Sequence, residues 1–240
     1  MIFVALYCVA AFFALLASVY LLWRRGNAFM QEDAPEGHEP MRLGLRIRSS
    51  HVLRRWTAAF MIAIVGSHVW WYVIGVYWLA DDWLVRTITV ILLDYVTLVP
   101  LVTAVLLAML QDRRRPLWPW LVAEVPVVAA GVVGIVRRDW FWGDVVSHYC
   151  QLAVVTVFVV YYIRALRQYG RWLLDNYADL DRKEVWQSLL FALALFLVYG
   201  LYTSNMGEMA REYLSQVLTL FIVAFLLWRV ETLQELEESE

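Results

Sequence analysis

Long apolar stretches separated by short polar segments follow one another along the whole chain. Seven of them approach or exceed the length of roughly 20 apolar residues that a helix needs to cross a bilayer. They are residues 1–23, 56–80, 87–110, 117–136, 145–163, 186–203 and 213–228. Together they contain only two formal charges, Asp94 and Glu124. The pattern predicts an all-α integral membrane protein with seven transmembrane helices over residues 1–228, followed by an acidic cytoplasmic tail or linker at 229–240.

Composition supports this class and argues against several others. Apolar residues make up 62% of the 240-residue chain, whereas soluble domains have about 45–50%. The net charge is −2 and no basic domain lies outside the spans, so we expect no direct contact with nucleic acid. Cys8 and Cys150 provide neither a disulfide framework nor metal-ligand spacing, so no metal or cofactor is expected. The single lysine, Lys183, lies in a loop, which excludes a retinal Schiff base in the last helix.

The distribution of basic residues predicts the orientation. Of the 20 lysines and arginines, 16 lie in segments 24–55, 111–116, 164–185 and 229–240. Short cytoplasmic loops carry the excess of Lys and Arg, so these segments are expected inside. Residues 1–23 lack the basic start of a cleavable signal peptide. We therefore expect a retained first helix, an N-terminus outside, a C-terminus in the cytoplasm and a bacterial inner (plasma) membrane location.

Charged residues near the cytoplasmic ends of the helices lead to three further expectations. Five arginines of segment 24–55 are expected to lie against anionic lipid headgroups: Arg42, Arg46, Arg48, Arg54 and Arg55. Glu124 is two turns into its helix, so we expect it to pair with Arg113 or Arg114. Segment 230–240 has too few leucines for a coiled coil and is expected to be a solvated helical extension or a frayed tail.

Polar residues within the spans cluster in their outer halves. The sequence predicts that eight of them line an outward-open cavity for a small ligand: His68, Tyr72, Asp94, His148, Gln151, Tyr199, Tyr202 and Gln216. A carboxylate such as Asp94 costs roughly 2.5–3.5 kcal/mol at a helix centre, so it should face protein or water. The alternative is that these residues form interhelical hydrogen bonds that position the helices.

Five segments resemble a known family when taken together. They are LDY at 93–95, MLQDRRRPLWP at 109–119, YGRWLLDNYADL at 169–180, KEVWQS at 183–188 and LWRVETLQ at 227–234. They are similar to the N-terminal membrane region of bacterial one-component regulators that end in an AraC-type helix-turn-helix domain. No helix-turn-helix is found before the chain stops at Glu240. The resemblance implies a sensor region whose DNA-binding domain is absent here, and it supplies no ligand residues.

These observations lead to one main functional hypothesis and two alternatives. The main one is a membrane receptor, not an enzyme, that binds an outside or membrane-dissolved small ligand and signals through its C-terminus. The first alternative is a small transporter or channel that uses Asp94 and His68 as proton or ion carriers. The second is an intramembrane enzyme, for which no zinc, nucleophile or phosphate-binding motif is present. Expected partners are the lipid bilayer, an unidentified small ligand and a cytoplasmic DNA-binding domain or partner beyond Glu240; a homodimer is left open.

Overall fold

The computed structural model describes residues 2–24, 50–74, 82–177, 185–202, 208–233 and 236, with side chains for 4–24, 50–74, 82–177, 185–195, 213–233 and 236. These ranges are helical and contain no β-strand. The elements are α1 (Ile2–Trp23), α2 (His51–Tyr72), α3 (Trp83–Met109), α4 (Trp118–Ala123), α5 (Val125–Arg137), a π-helical segment (Phe141–Val146), α6 (Ser147–Asn176), α7 (Trp186–Tyr202) and α8 (Glu208–Thr232).

Five stretches of helix are long and apolar enough to cross a membrane. They are Val4–Trp23, Trp83–Met109, Trp118–Arg137, Phe141–Asn176 and Tyr213–Thr232. Many of their large apolar side chains are exposed, as Phe12, Val157 and Phe221 illustrate at 60%, 61% and 56%. A soluble protein rarely exposes so continuous an apolar surface, whereas lipid accommodates it. The chain therefore has the build of a multi-pass membrane protein.

Proline and glycine set the breaks near the fourth predicted span. Pro126 has no backbone N–H to continue the hydrogen bonds of α4, and the helix is interrupted at Glu124 before α5 begins. Arg138 ends α5 in the left-handed conformation, with φ at 52°. A Cβ on Gly134 would overlap the backbone of Gly143. These two glycines therefore allow α5 to approach the π-helical segment closely.

The helices pack as a sequence of neighbours around the bundle. Helix α1 lies against α2 and α8, α2 against α3, α3 against α5, α5 against α6, and α6 against α7. The largest buried cluster includes Leu53, Met61, Met109, Tyr162 and Leu226. It lies where α1 and α3 end and α2 and α4 begin. We call this the arginine-rich end, after Arg54, Arg115 and Arg229.

The observed bounds differ from the predicted ones mainly at polar helix ends. Helix α2 begins five residues before the predicted position 56, and α3 begins four residues before 87. Helix α6 continues to Asn176, well past 163, and α8 starts at Glu208, before 213. A hydropathy window stops at the first charges, whereas hydrogen bonding along a helix continues beyond them. Most of the basic segment 24–55 lies outside the described residues.

Candidate functional site

Asp94 of α3 is held by one face of α2. Its Oδ1 accepts hydrogen bonds from the hydroxyl of Ser67 at 2.7 Å and from the indole N–H of Trp70 at 3.0 Å. Its Oδ2 accepts from the indole N–H of Trp71 at 2.7 Å. The three donors share a helical face because they are spaced i, i+3 and i+4. Three donors satisfy most of the capacity of the carboxylate, so this cluster joins α2 to α3.

His68 lies on the adjacent position of α2 and contacts α8. Its Nδ1 is 2.8 Å from the carbonyl oxygen of Ile64, and its Nε2 is 2.9 Å from Oε1 of Gln216. A neutral imidazole donates from only one nitrogen. Both ring nitrogens lie beside an oxygen, and the amide N–H of Gln216 donates instead to the hydroxyl of Ser215 at 3.3 Å. The hydroxyl of Tyr7 donates to the carbonyl oxygen of His68, so three helices meet here.

The other predicted site residues are distributed around the bundle. Nδ1 of His148 on α6 is 3.1 Å from the hydroxyl of Tyr95 on α3. Tyr72 is 53% exposed at the end of α2. The side chains of Tyr199 and Tyr202 lie outside the described residues. The described part of the chain therefore brings His68 together with Gln216, and the assembly of the whole predicted set stays a prediction.

A half-open cavity of about 180 Å³ lies nearer the arginine-rich end, between α2, α3, α4, α6 and α7. Its lining residues are almost all apolar: Phe60, Leu98, Val99, Pro100, Val102, Thr103, Leu106, Trp120, Glu124, Val154, Val155, Phe158, Val159, Ala192 and Leu195. None of the predicted site residues with a described side chain lines this cavity. Ligand binding by those residues at another place in the bundle stays a prediction.

Glu124 brings an acidic group to the wall of this cavity. The residue is only 6% exposed, and its Oε1 accepts a hydrogen bond of 3.1 Å from Nε2 of the fully buried Gln151 on α6. Oε2 of Glu124 and Oε1 of Gln151 have no hydrogen-bond partner among the described residues. The expected pairing of Glu124 with Arg113 or Arg114 is wrong. The Arg113 guanidinium donates to Gln168 instead, and the glutamate packs into the bundle because the helix break turns it toward α6.

No protein-family model, no curated protein and no solved structure matches this chain. The resemblance to the membrane region of AraC-type regulators therefore stays a prediction. In the residues that the structure describes, no group of three His, Cys, Asp or Glu side chains is placed to hold a metal ion.

A buried ion pair joins α2 to the end of α8. Nη1 of Arg54 lies 2.6 Å from Oε1 of Glu231, and the side chains are 7% and 0% exposed. The same guanidinium donates to the carbonyl oxygens of Leu21, at 3.3 Å, and Arg24 at the end of α1. We call Arg54 and Glu231, with these carbonyls, the latch. The expectation that Arg54 contacts lipid headgroups is wrong, because the arginine turns inward toward these acceptors, whereas the neighbouring Arg55 is exposed.

The C-terminal segment is packed rather than solvated where the structure describes it. Leu233 and Leu236 are 1% and 8% exposed, and both belong to the main buried cluster. The backbone N–H of Leu236 donates to Oε1 of Gln111 at 2.8 Å, beyond the end of α3. The expectation of a solvated tail over 230–240 is therefore wrong for residues 230–233 and 236. Two leucines are too few for a coiled coil but enough to dock against an existing core.

Some of these missed partners could have been found from the sequence. Ser67, Trp70 and Trp71 form a hydrogen-bonding face of α2 that helical spacing could reveal. The latch gives no such signal. Its arginine and glutamate are 177 positions apart, and each looks like an ordinary charge at the end of an apolar span.

Proposed function

We propose that this chain is a membrane-embedded sensor domain that binds a small, largely apolar ligand and signals to a cytoplasmic transcriptional output. The observation that carries the proposal is the cavity beside Pro100 and Glu124. Its volume of 180 Å³ exceeds the roughly 150 Å³ of an apolar cavity that binds benzene. Small-molecule sites combine an apolar wall with a few polar groups, and this cavity has that composition.

The proposed topology has seven crossings of the bacterial inner membrane. In it, α2 and α7 also span, the N-terminus is outside and the arginine-rich end is cytoplasmic, in keeping with the excess of basic residues there. The cavity then lies in the cytoplasmic half of the bilayer. A ligand that reaches it through the membrane would need to be apolar, which agrees with the lining residues.

The proposed output passes through α8. Helices α2, α3, α6 and α7 contribute to the cavity, and α2 is tied to α8 by Arg54 and Glu231. A ligand that shifts α2 would act on the latch and thereby on the segment after Thr232. The resemblance to AraC-type regulators suggests that a DNA-binding domain or another cytoplasmic partner receives this signal.

Binding of 4-fluorotoluene to the detergent-purified chain, measured by fluorine NMR, tests the cavity. We expect a bound signal that disappears in Ala192→Trp, because Ala192 lines the cavity and is 4% exposed. Ala165→Trp is the matched control, since Ala165 is equally buried, at 3%, but does not line the cavity. The proposal fails if both variants retain the signal or if the wild-type chain shows none.

Hydrogen exchange of the α8 end tests the output. We expect 4-fluorotoluene to change amide exchange at residues 229–233 in the wild-type chain but not in Ala192→Trp. Unchanged exchange in both would contradict a sensor. Proteoliposomes separate the sensor from the transporter: proton uptake that collapses in Asp94→Asn would favour transport and overturn the sensor proposal.

A further inference from the structure

Glu124 and Gln151 form an incomplete hydrogen-bonded pair in the middle of the bundle. One hydrogen bond is present, from Nε2 of Gln151 to Oε1 of Glu124 at 3.1 Å. The two remaining oxygens, one on each side chain, lack partners among the described residues. Both residues are buried, with 6% and 0% of their surfaces exposed. The Glu124–Gln151 pair therefore contains two buried oxygens that no donor among the described residues reaches.

An ionised carboxylate fits this environment poorly. A buried charge needs an opposite charge or several hydrogen-bond donors, and Glu124 has one amide donor. Among the described residues, Gln151 supplies the one side-chain hydrogen bond to Glu124. None of the other residues that line the cavity, from α2, α3, α4, α6 or α7, carries a titratable side chain.

One proton can supply what both oxygens lack. A carboxylic acid has an O–H donor and a carbonyl acceptor, and a primary amide has an N–H donor and a carbonyl acceptor. The two groups can therefore pair through two hydrogen bonds in a ring. The observed N–H···O contact is one of these bonds, and the two unpartnered oxygens are the atoms that the second bond would join.

We infer that Glu124 is a proton-binding site: the carboxyl group is neutral, and its Oε2–H donates to Oε1 of Gln151. The proton remains on the glutamate, so the pair carries no net charge. A consequence, which rests on the proposed ligand cavity, is that the cavity accepts neutral molecules and rejects cations. A cation in the cavity is disfavoured as the partner for both oxygens, because Gln151 does not line the cavity wall.

Infrared spectroscopy tests the proton independently of any ligand. We expect the carbonyl stretch of a protonated carboxylic acid in the wild-type chain at neutral pH, shifted in D2O and absent from Glu124→Gln. Asp94→Asn is the control and should leave the band in place, because Asp94 already accepts three hydrogen bonds. A missing band, or one that survives Glu124→Gln, would overturn the inference.

Stability measurements guard against variants that fail to fold. Glu124→Gln should retain the wild-type thermal midpoint, because an amide can make the same two-bond ring with Gln151. Glu124→Leu should lower it, because both polar atoms of Gln151 then lose their partner. A large loss of stability in Glu124→Gln would contradict a neutral carboxyl group.

A matched pair of ligands tests the consequence for the cavity. Fluorine NMR should show 4-fluorobenzyl alcohol bound at least about tenfold more tightly than the 4-fluorobenzylammonium cation, because the apolar wall disfavours a charge. Ala192→Trp corrects for partition into detergent. Cation binding that is stronger than alcohol binding and lost in Glu124→Gln would show an ionised glutamate. The infrared band with neither ligand bound would retain the proton site and reject the cavity as a ligand site.

Discussion

The latch predicts that one buried arginine contributes strongly to stability while its neighbour contributes little. Arg54→Met removes the 2.6 Å ion pair with Glu231 and the hydrogen bonds to two carbonyls at the end of α1. Glu231 is fully buried, so the substitution removes the Arg54 cation from a carboxyl group that water does not reach. Removing one partner of such a pair costs about 3–5 kcal/mol. We expect the free energy of unfolding to fall by that amount.

Arg55→Met is the internal control, because Arg55 is the next residue of α2 and is exposed. Its effect should stay within about 0.5 kcal/mol. The assay is unfolding in mixed micelles with increasing SDS, followed by far-UV circular dichroism. Combining Arg54→Met with Glu231→Leu should recover most of the loss, because an apolar pair of similar volume replaces a buried ion pair at little cost.

Two outcomes of these measurements would contradict the predicted role of the Arg54–Glu231 pair. Equal effects of Arg54→Met and Arg55→Met would mean that burial of the Arg54 guanidinium has no energetic consequence. Additive losses in the double variant would mean that Arg54 and Glu231 do not depend on each other. Hydrogen exchange provides a second measurement, since Arg54→Met should raise exchange at residues 229–233 more than in the core of α8.

Three other predictions follow from the described structure. Gly134→Ala should destabilise the chain, because a Cβ would overlap the backbone of Gly143. A Cβ at Gly170 on α6 meets no neighbour within 4 Å, so Gly170→Ala should stabilise the chain by up to about 1 kcal/mol. Thermal unfolding of the two variants tests both effects. Asp94→Asn should cost about 1–3 kcal/mol, because an amide cannot accept from all three donors, and should alter tryptophan fluorescence. A cysteine at Asn176, which is exposed, should not react with a membrane-impermeant reagent added to intact cells, and labelling from outside would reject the proposed orientation.

The helical class could be predicted from the sequence because insertion into lipid depends on the length and hydrophobicity of each segment by itself. A run of about 20 apolar residues is predicted to span the membrane whatever its neighbours in the fold are, and one charge such as Asp94 does not change that prediction. The consequence of the helix break at Glu124 was harder to predict, because Pro126 indicates a kink but does not show which way the glutamate side chain then points. Helix ends were placed several residues short for the same local reason.

Partner choice could not be predicted, because it depends on how each helix is rotated about its axis. Asp94 and His68 are polar residues predicted to lie at similar depth. Asp94 accepts a hydrogen bond from α2, whereas His68 contacts α8. Arg54 and Arg55 are adjacent in the sequence, and only the packed structure shows that one points inward. Composition indicates that polar groups need partners, and the three-dimensional arrangement decides which ones they find.

The Asp94 cluster has a consequence for the biosynthesis of the chain. All three donors precede the aspartate by only 23–27 positions, on the helix made just before α3. The hydrogen bonds can therefore form as soon as these two helices have left the ribosome, before the rest of the bundle has emerged. In the proposed topology, in which α2 also spans, the two helices can enter the bilayer together, with the carboxylate already shielded from lipid by indole and hydroxyl groups. An acidic residue that would hinder the insertion of α3 alone thus becomes a contact that helps the pair to insert.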